Sequence, residues 1–381
     1  MSRCKIPFVH FYSSLGIIPT RQDISDLRQH IERRQSLYCH LGLPPGVVRD
    51  ASVIEFGPGS GHNAVVTGLM GPRRYVLVDG NPPSLKSTHK LLKHYCPKLN
   101  FELKQSSILR FRARERFDIV LCEAVIPTQQ DPPRFLRHVA RFVRPDGVLV
   151  ITCMDPISLL PEMLRRWLAW DLVRDIPVFD DKVARLAEFF QSDLDALPGM
   201  SRRPEDWVID QILHPWSGPL FSMPQAIAAL KGRATVLGSS PRFLIDWRWY
   251  KRIVGPQCTD NSFAMNSYYE QGLNLIDWRV ALAPTPQEVV RRVERIAQAI
   301  YDGIFARERG QGGFSARQLL AKMKSLATNL RAHSPTTCGS VQSFMEYLQS
   351  GSRRDRDLRE FRQWWGRGQQ YLSFIMRQRF N

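Results

Sequence analysis

The sequence predicts a doubly wound α/β domain with a mostly parallel sheet, a helical cap insertion and a helical C-terminal extension. Between residues 51 and 155, short apolar runs alternate with helix-forming segments. These runs are almost unbroken, as expected for parallel strands that are buried on both faces. The first run leads directly into a glycine-rich turn, and strands that alternate with helices typify this fold class.

The elements of this core follow one another at regular intervals. The predicted strands cover residues 52–56, 74–79, 100–104, 117–123 and 147–152. The helices between them are predicted at residues 63–69, 84–94 and 133–143. Each strand therefore reaches its parallel neighbour through a crossover connection.

The flanking regions complete a five-part division of the chain. Residues 1–50 are predicted as an N-terminal helical lid, with a helix over 23–43 that Asp23 or Ser25 caps. Residues 51–155 form the core and residues 156–230 a helical cap insertion. Residues 231–284 supply late strands, at 234–238 and 243–247, that complete the core. Residues 285–381 form the C-terminal extension, with helices at 285–306, 316–332 and 345–380.

Composition narrows the class of protein and its surroundings. The 381 residues are 43% hydrophobic, and no apolar run is long enough to cross a bilayer, so we expect no membrane partner. The seven cysteines are dispersed, which argues against a disulfide framework and a structural zinc site. We therefore expect no bound metal and a cytoplasmic location. The net charge of +17 makes a nucleic-acid partner possible, but the charge is spread along the chain and does not favour one.

The glycine-rich turn carries the functional inference. Gly57, Gly59 and Gly61 follow the first strand, where glycine allows positive φ and lets a ligand approach the backbone. Glu55 precedes them by two residues; an acid there repels a pyrophosphate but suits an ammonium group or a sulfonium-bearing amino acid. Asp79 ends the next strand, where a carboxylate can accept hydrogen bonds from both hydroxyls of an adenosine ribose.

Residues 52–155 resemble the core of the class I S-adenosylmethionine-dependent methyltransferases, a Rossmann-like family. The glycine turn with its acid matches the family's first motif, and Asp79 its ribose-binding acid. Residues 117–123 resemble the fourth-strand motif, and residues 143–149 the turn into the fifth strand. The resemblance implies S-adenosylmethionine as the cofactor. It implies a cofactor site formed by Glu55, Gly57, Gly59, Gly61, Asp79, Gly80, Ser106, Ser107 and Glu123.

The chain departs from the family pattern at one place, after the third strand. Many members carry an aspartate after the third strand that contacts the adenine amino group, whereas this chain has Ser106 and Ser107, either of which can hydrogen-bond adenine instead. Glu123 follows the fourth strand, where it is a candidate base, substrate ligand or cofactor ligand. The residues from Glu123 to Pro127 do not match the N/D-P-P-Y/F pattern of amino-group methyltransferases.

Candidates for a substrate pocket are scattered. Tyr12 and Arg21 lie in the lid together with His30 and Arg34, His214 and Trp216 lie in the cap, and Ser240 follows a late strand. The structural alternative is a packing helix for the lid and core filling for the tryptophans of the cap. An unusual segment, residues 246–251, combines aromatic and basic side chains.

The sequence therefore predicts a biosynthetic methyltransferase that acts on a small or medium-sized metabolite. Three alternatives stay open: transfer or cyclisation of the aminocarboxypropyl arm with release of methylthioadenosine, methylation of RNA or DNA, and an inert interaction protein with the same fold. The oligomeric state is open, with a homodimer possible.

Overall fold

The computed structural model describes residue 11 and residues 22–215, 218–259, 261–350 and 358–377. The described residues of 1–154, 215–265 and 370–381 form one compact unit, and residues 155–214 and 266–369 form a second. The five-part division predicted from the sequence stays a prediction.

The first unit is built on a seven-stranded sheet with the order β3-β2-β1-β4-β5-β7-β6. The strands are β1 (Ser52–Phe56), β2 (Arg74–Asp79), β3 (Phe101–Gln105), β4 (Phe117–Cys122), β5 (Val143–Cys153), β6 (Ala234–Ser240) and β7 (Gln370–Met376). The first five strands pair in parallel, and β7 lies antiparallel between β5 and β6. This confirms the predicted doubly wound, mostly parallel sheet.

The helices between the core strands lie within a few residues of their predicted bounds, and the described ranges contain fourteen α-helices in all. They are α1 (Leu27–His40), α2 (Pro45–Val48), α3 (His62–Leu69), α4 (Pro82–Tyr95), α5 (Pro132–Val139), α6 (Pro156–Val173), α7 (Phe179–Asp195), α8 (Pro204–Trp207), α9 (Met223–Ala229), α10 (Ser262–Gln271), α11 (Gln287–Glu308), α12 (Ala316–Leu330), α13 (Pro335–Ser350) and α14 (Arg359–Arg362). No helix in the described ranges is long and apolar enough to span a membrane.

Burial explains why the strands read as continuous apolar runs. All but the first residue of β1 are buried, as are the four inner residues of β2. Their side chains join α1 and α3 in a core that includes Tyr38, Val53, Val66 and Leu77. Helix α1 begins at Leu27 and not at residue 23, because the Asp26 carboxylate caps it by accepting a hydrogen bond from the Gln29 N–H at 2.9 Å.

Two predicted elements are wrong. A single helix over residues 345–380 is not present: α13 covers Pro335–Ser350, and residues 370–376 form β7. The strand predicted at 243–247 is an irregular loop, because β6 ends at Ser240 and only Phe243 of that stretch is buried.

The strand order places the candidate site. Strand order reverses between β1, which leads on to β2, and β4, which leads on to β5. In open α/β sheets, ligands bind at this switch point, outside the carboxyl ends of the strands. The glycine turn after β1 and Glu123 after β4 both lie at that edge.

Candidate active site

The turn between β1 and α3 has the backbone that its glycines allow. Gly57, Gly59 and Gly61 have φ of 75°, 58° and 87°, in the left-handed region that favours glycine. A Cβ on Gly61 would lie 2.6 Å from the Thr88 Cα in α4. The Thr88 hydroxyl also donates a hydrogen bond to the Gly59 carbonyl at 3.3 Å. The glycines are therefore required for this backbone path and for its close approach to α4.

The carboxylate of Asp79 lies at the end of β2, beside this turn. It accepts hydrogen bonds from the backbone N–H of Asn81, at 2.8 Å, and from the N–H groups of Gly59 and Gly80. Burial nevertheless raises the pKa of Asp79 to about 6. The Ser106 N–H donates to the Asp79 carbonyl at 3.0 Å, so the residues after β2 and β3 lie side by side.

The residues present fit an adenosine-bearing cofactor. Two amide oxygens, Oδ1 of Asn63 and Oδ1 of Asn81, are buried and have no hydrogen-bond partner within the described ranges. Buried polar atoms are normally paired, so these acceptors are available to a ligand. They flank the glycine turn and the Asp79 carboxylate. Ser107 is half-buried next to Ser106, at the position expected for adenine.

Glu55 is the second acidic group of the site. It is 5% exposed and accepts a hydrogen bond from the Tyr75 hydroxyl. Burial, and then the nearby charge of Glu123, raises the pKa of Glu55 to about 7. Near neutral pH this carboxyl therefore gains or loses its proton easily. A bound cation would favour its ionised form.

Glu123 is held by the helix that precedes the sheet. Arg34 Nη2 donates to both carboxylate oxygens of Glu123, at 2.8 and 2.9 Å, and both side chains are buried. The Tyr38 hydroxyl donates to Glu123 Oε1 at 3.2 Å and lies 3.2 Å from Thr67 Oγ1. Three of the about four acceptor sites of this carboxylate are thus engaged.

Sequence reasoning placed Arg34 in a lid and overlooked Tyr38 and Tyr75. Arg34 and Tyr38 are four residues apart, so they share one face of α1. That face also carries buried His30, whose Nε2 lies 3.2 Å from the His62 carbonyl. A buried arginine on a helix face is the signal that a carboxylate faces it.

The substrate-pocket candidates are dispersed. Tyr12, Arg21 and Trp216 lie outside the described residues. Ser240 ends β6, which runs in the same direction as β5, so it lies at the carboxyl edge of the sheet. His214 lies in the second unit, where burial lowers the pKa of its imidazole to about 4.

Other buried polar and aromatic side chains of the second unit have structural roles. The Tyr268 hydroxyl donates to Asp155, which caps α6 by accepting from the Ile157 N–H at 2.8 Å. The Trp207 ring packs edge-on against Trp365, with ring centroids 5.6 Å apart. Within the described ranges, no group of three or more His, Cys, Asp or Glu side chains could hold a metal ion.

Residues 30–190 match a family model described as "Methyltransferase domain". This range contains the glycine turn, Asp79, both serines after β3 and the ion pair of Arg34 with Glu123. A comparison with curated proteins found no match.

Similar solved structures include three proteins of low sequence identity. The N-methyltransferase NodS from Bradyrhizobium japonicum, solved with S-adenosylhomocysteine, is 14% identical with a TM-score of 0.36, over 60% of this chain and 88% of that one. PKMT2 from Rickettsia typhi is 18% identical with a TM-score of 0.39, over 62% and 48%. The CcbJ methyltransferase from Streptomyces caelestis is 15% identical with a TM-score of 0.28, over 33% and 50%.

Proposed function

Since residues 30–190 form a class I, Rossmann-like methyltransferase domain, we propose that the chain transfers a methyl group from S-adenosylmethionine to a small or medium-sized metabolite. The observation that carries the proposal is the pairing of the left-handed glycine turn with the Asp79 carboxylate across the carboxyl ends of β1 and β2. An adenosine needs a turn whose backbone a ligand can approach closely. It also needs an acceptor for its two ribose hydroxyls, which the Asp79 carboxylate provides.

Each end of the cofactor has a matching group in the chain. Asp79 would accept from the ribose hydroxyls, and Ser106 or Ser107 would hydrogen-bond adenine. Glu55 would face the ammonium group of the methionine arm, because its buried carboxyl can ionise next to a cation at little cost. The bound cofactor supplies an activated methyl group on a sulfonium, so the protein needs mainly to align the acceptor and exclude water.

Glu123 contributes a fixed charge in this scheme. Its two oxygens accept hydrogen bonds from Arg34, which supports the role of ligand or orienting group over that of base. Substitution of Arg34 would release those oxygens. The acceptor is therefore expected to be deprotonated by water or to need no base at all.

The choice of a metabolite as the acceptor rests on the residues after β4, which lack the pattern of amino-group methyltransferases of proteins and nucleic acids. The six cysteines of the described ranges are free thiols, which supports the proposed cytoplasmic location. Transfer of the aminocarboxypropyl arm, nucleic-acid methylation and an inert fold stay as alternatives.

Calorimetric titration tests the cofactor. We expect wild type to bind S-adenosylhomocysteine, and Asp79→Ala to weaken binding at least about tenfold, or about 1.4 kcal/mol. Asp175→Ala is the matched control, because the Asp175 side chain is 89% exposed and far from the turn in sequence. Wild type that binds neither S-adenosylmethionine nor its product would overturn the proposal.

Product analysis then separates the reactions. Incubation with S-adenosylmethionine and a panel of metabolites should release S-adenosylhomocysteine. Release of methylthioadenosine would instead identify transfer of the aminocarboxypropyl arm. Methylation confined to added RNA or DNA would replace the metabolite with a nucleic acid.

A further inference from the structure

An exposed segment with aromatic and basic side chains follows β6 and has no part in the cofactor site. We call residues 242–258 the aromatic loop. Five of its large apolar side chains are exposed: Ile245 at 44%, Trp247 at 92%, Trp249 at 59%, Tyr250 at 66% and Val254 at 65%. Such clusters are unusual on a protein surface and mark sites of interaction.

The aromatic loop is anchored at both ends. Phe243 is buried near its start, and its N–H donates to the Ser239 hydroxyl at 3.3 Å. Just beyond its end, Asn261 Nδ2 donates to the Ala234 carbonyl at 3.1 Å, and Asn261 Oδ1 accepts from the Val236 N–H at 3.0 Å. Both contacts are on β6, so the exposed residues project from a fixed base.

The charge of the aromatic loop is positive. Its one acid, Asp246, accepts hydrogen bonds from the Arg248 guanidinium, which also lies 4.5 Å from the Phe263 ring centroid. Arg242, Lys251 and Arg252 are exposed, and no acidic residue occurs from 247 to 258. Lys251 Nζ lies 5.6 Å from the Trp249 ring centroid, so charge and aromatic surface are presented together.

We propose that the aromatic loop docks the protein on the surface of an anionic lipid bilayer. Tryptophan and tyrosine rings favour the boundary between headgroups and acyl chains, and lysine and arginine reach from there to lipid phosphates. Binding of this kind grows with buried apolar area and with attraction to anionic lipid. The expectation of no membrane partner rested on the lack of a spanning segment, and a peripheral contact needs none.

Lipid fits the aromatic loop better than single-stranded nucleic acid does. Bases bind by stacking on flat aromatic faces, and Ile245 and Val254 offer no such face. The Trp249 and Tyr250 rings pack against each other with centroids 5.0 Å apart, which occupies part of their stacking surface. Aliphatic side chains beside tryptophan instead gain by leaving water for the acyl boundary.

Vesicle sedimentation with the full chain tests the proposal. The probes are vesicles of phosphatidylcholine alone and vesicles with about a quarter phosphatidylglycerol, a share that sets a negative surface potential. We expect wild type to bind the anionic vesicles and to be released by added salt. The double variant Trp247→Ala, Trp249→Ala should bind them at least about tenfold more weakly.

Two further variants separate the contributions of charge and aromatic surface. Lys251→Gln with Arg252→Gln should weaken binding to the anionic vesicles and flatten its salt dependence. Trp170→Ala is the matched control, because Trp170 is 37% exposed on α6, away from the aromatic loop in sequence, and its loss should leave vesicle binding unchanged. Titration with S-adenosylhomocysteine checks that each variant is folded.

Two results would overturn the proposal. One is vesicle binding by the double tryptophan variant that equals wild type. The other is a wild type that does not bind anionic vesicles; if it binds oligouridine and the same two substitutions abolish that binding, the partner is a nucleic acid instead.

Discussion

Arg34 Nη2 donates hydrogen bonds to both carboxylate oxygens of Glu123, at 2.8 and 2.9 Å, and so joins α1 to the end of β4. Arg34 is 7% exposed and Glu123 is 9% exposed, so neither charge is well solvated. A buried pair of this kind adds little net stability, but each partner becomes necessary to the other.

Arg34→Met is therefore expected to destabilise the protein by about 3 kcal/mol, because it leaves Glu123 as an unpaired buried charge. Urea unfolding followed by circular dichroism measures this loss. The double variant Arg34→Met, Glu123→Gln should lose less than the single variant does. Arg33→Met, at an exposed position of the same helix, should change stability by less than about 0.5 kcal/mol. Equal losses for Arg33 and Arg34 would contradict this account.

Gly61→Ala should destabilise the protein by more than Gly71→Ala does. Both glycines have left-handed φ, 87° and 78°, but only at Gly61 would the new methyl group meet backbone, the Thr88 Cα at 2.6 Å. The strain of positive φ costs about 1 kcal/mol at either position, and the steric contact adds to it at Gly61 alone. Thermal unfolding and titration with S-adenosylhomocysteine measure the two variants. We expect Gly61→Ala, and not Gly71→Ala, to lose affinity for S-adenosylhomocysteine. If the two variants lose stability and affinity equally, the steric contact with Thr88 is relieved by small shifts and this explanation is wrong.

Glu55→Gln should reduce the pH dependence of stability. Burial raises the pKa of Glu55 in the folded chain to about 7, above its ordinary value of 4.5. Between these values the folded chain holds the proton and the unfolded chain does not, so stability is fully present below pH 4.5 and is lost as the pH rises to 7. This group accounts for a loss of up to about 3 kcal/mol. Urea midpoints at pH 5 and pH 7 should therefore differ less in Glu55→Gln than in wild type.

The matched control for that experiment is Glu102→Gln. Glu102 is a surface residue whose pKa is lowered by hydrogen bonds from Lys104 and Arg74. It is ionised in both states above pH 5, so its removal should not alter the difference between the two pH values. If Glu55→Gln shows the same difference in urea midpoint between pH 5 and pH 7 as wild type, the Glu55 carboxyl is not the cause of that difference.

The first five strands and the cofactor turn could be predicted from the sequence because each one is local. The buried residues of strand β1 are apolar except for Glu55. The glycines that follow β1 have positive φ, which is the conformation that a glycine-rich turn predicts. The positions of Asp79 and Ser106 follow from strand ends alone. Contacts between residues that are distant in sequence could not be predicted from local patterns. The ion pair of Arg34 with Glu123 is the clearest example.

Strand β7 was missed for a physical reason. It contains two polar residues, Gln370 and Ser373, that are fully buried, so its sequence lacks the pattern of a central strand. Ser373 is accommodated because its hydroxyl donates to the Leu41 carbonyl at 2.8 Å. That partner is remote in sequence. The opposite error occurs in the aromatic loop. Its apolar run at residues 243–247 predicted a strand, but most of these side chains are exposed to solvent.

Because β7 lies late in the chain, the sheet cannot be completed during synthesis until residues 370–376 have been made. Strands β5 and β6 are made long before residues 370–376 leave the ribosome, and each has an edge that only β7 pairs. Unpaired strand edges recruit other chains, and nascent proteins expose them for as long as translation lasts. A chain whose synthesis stops before residue 370 would leave these two edges unpaired, in addition to the outer edges of β3 and β6, and such chains are the ones we expect chaperones to hold.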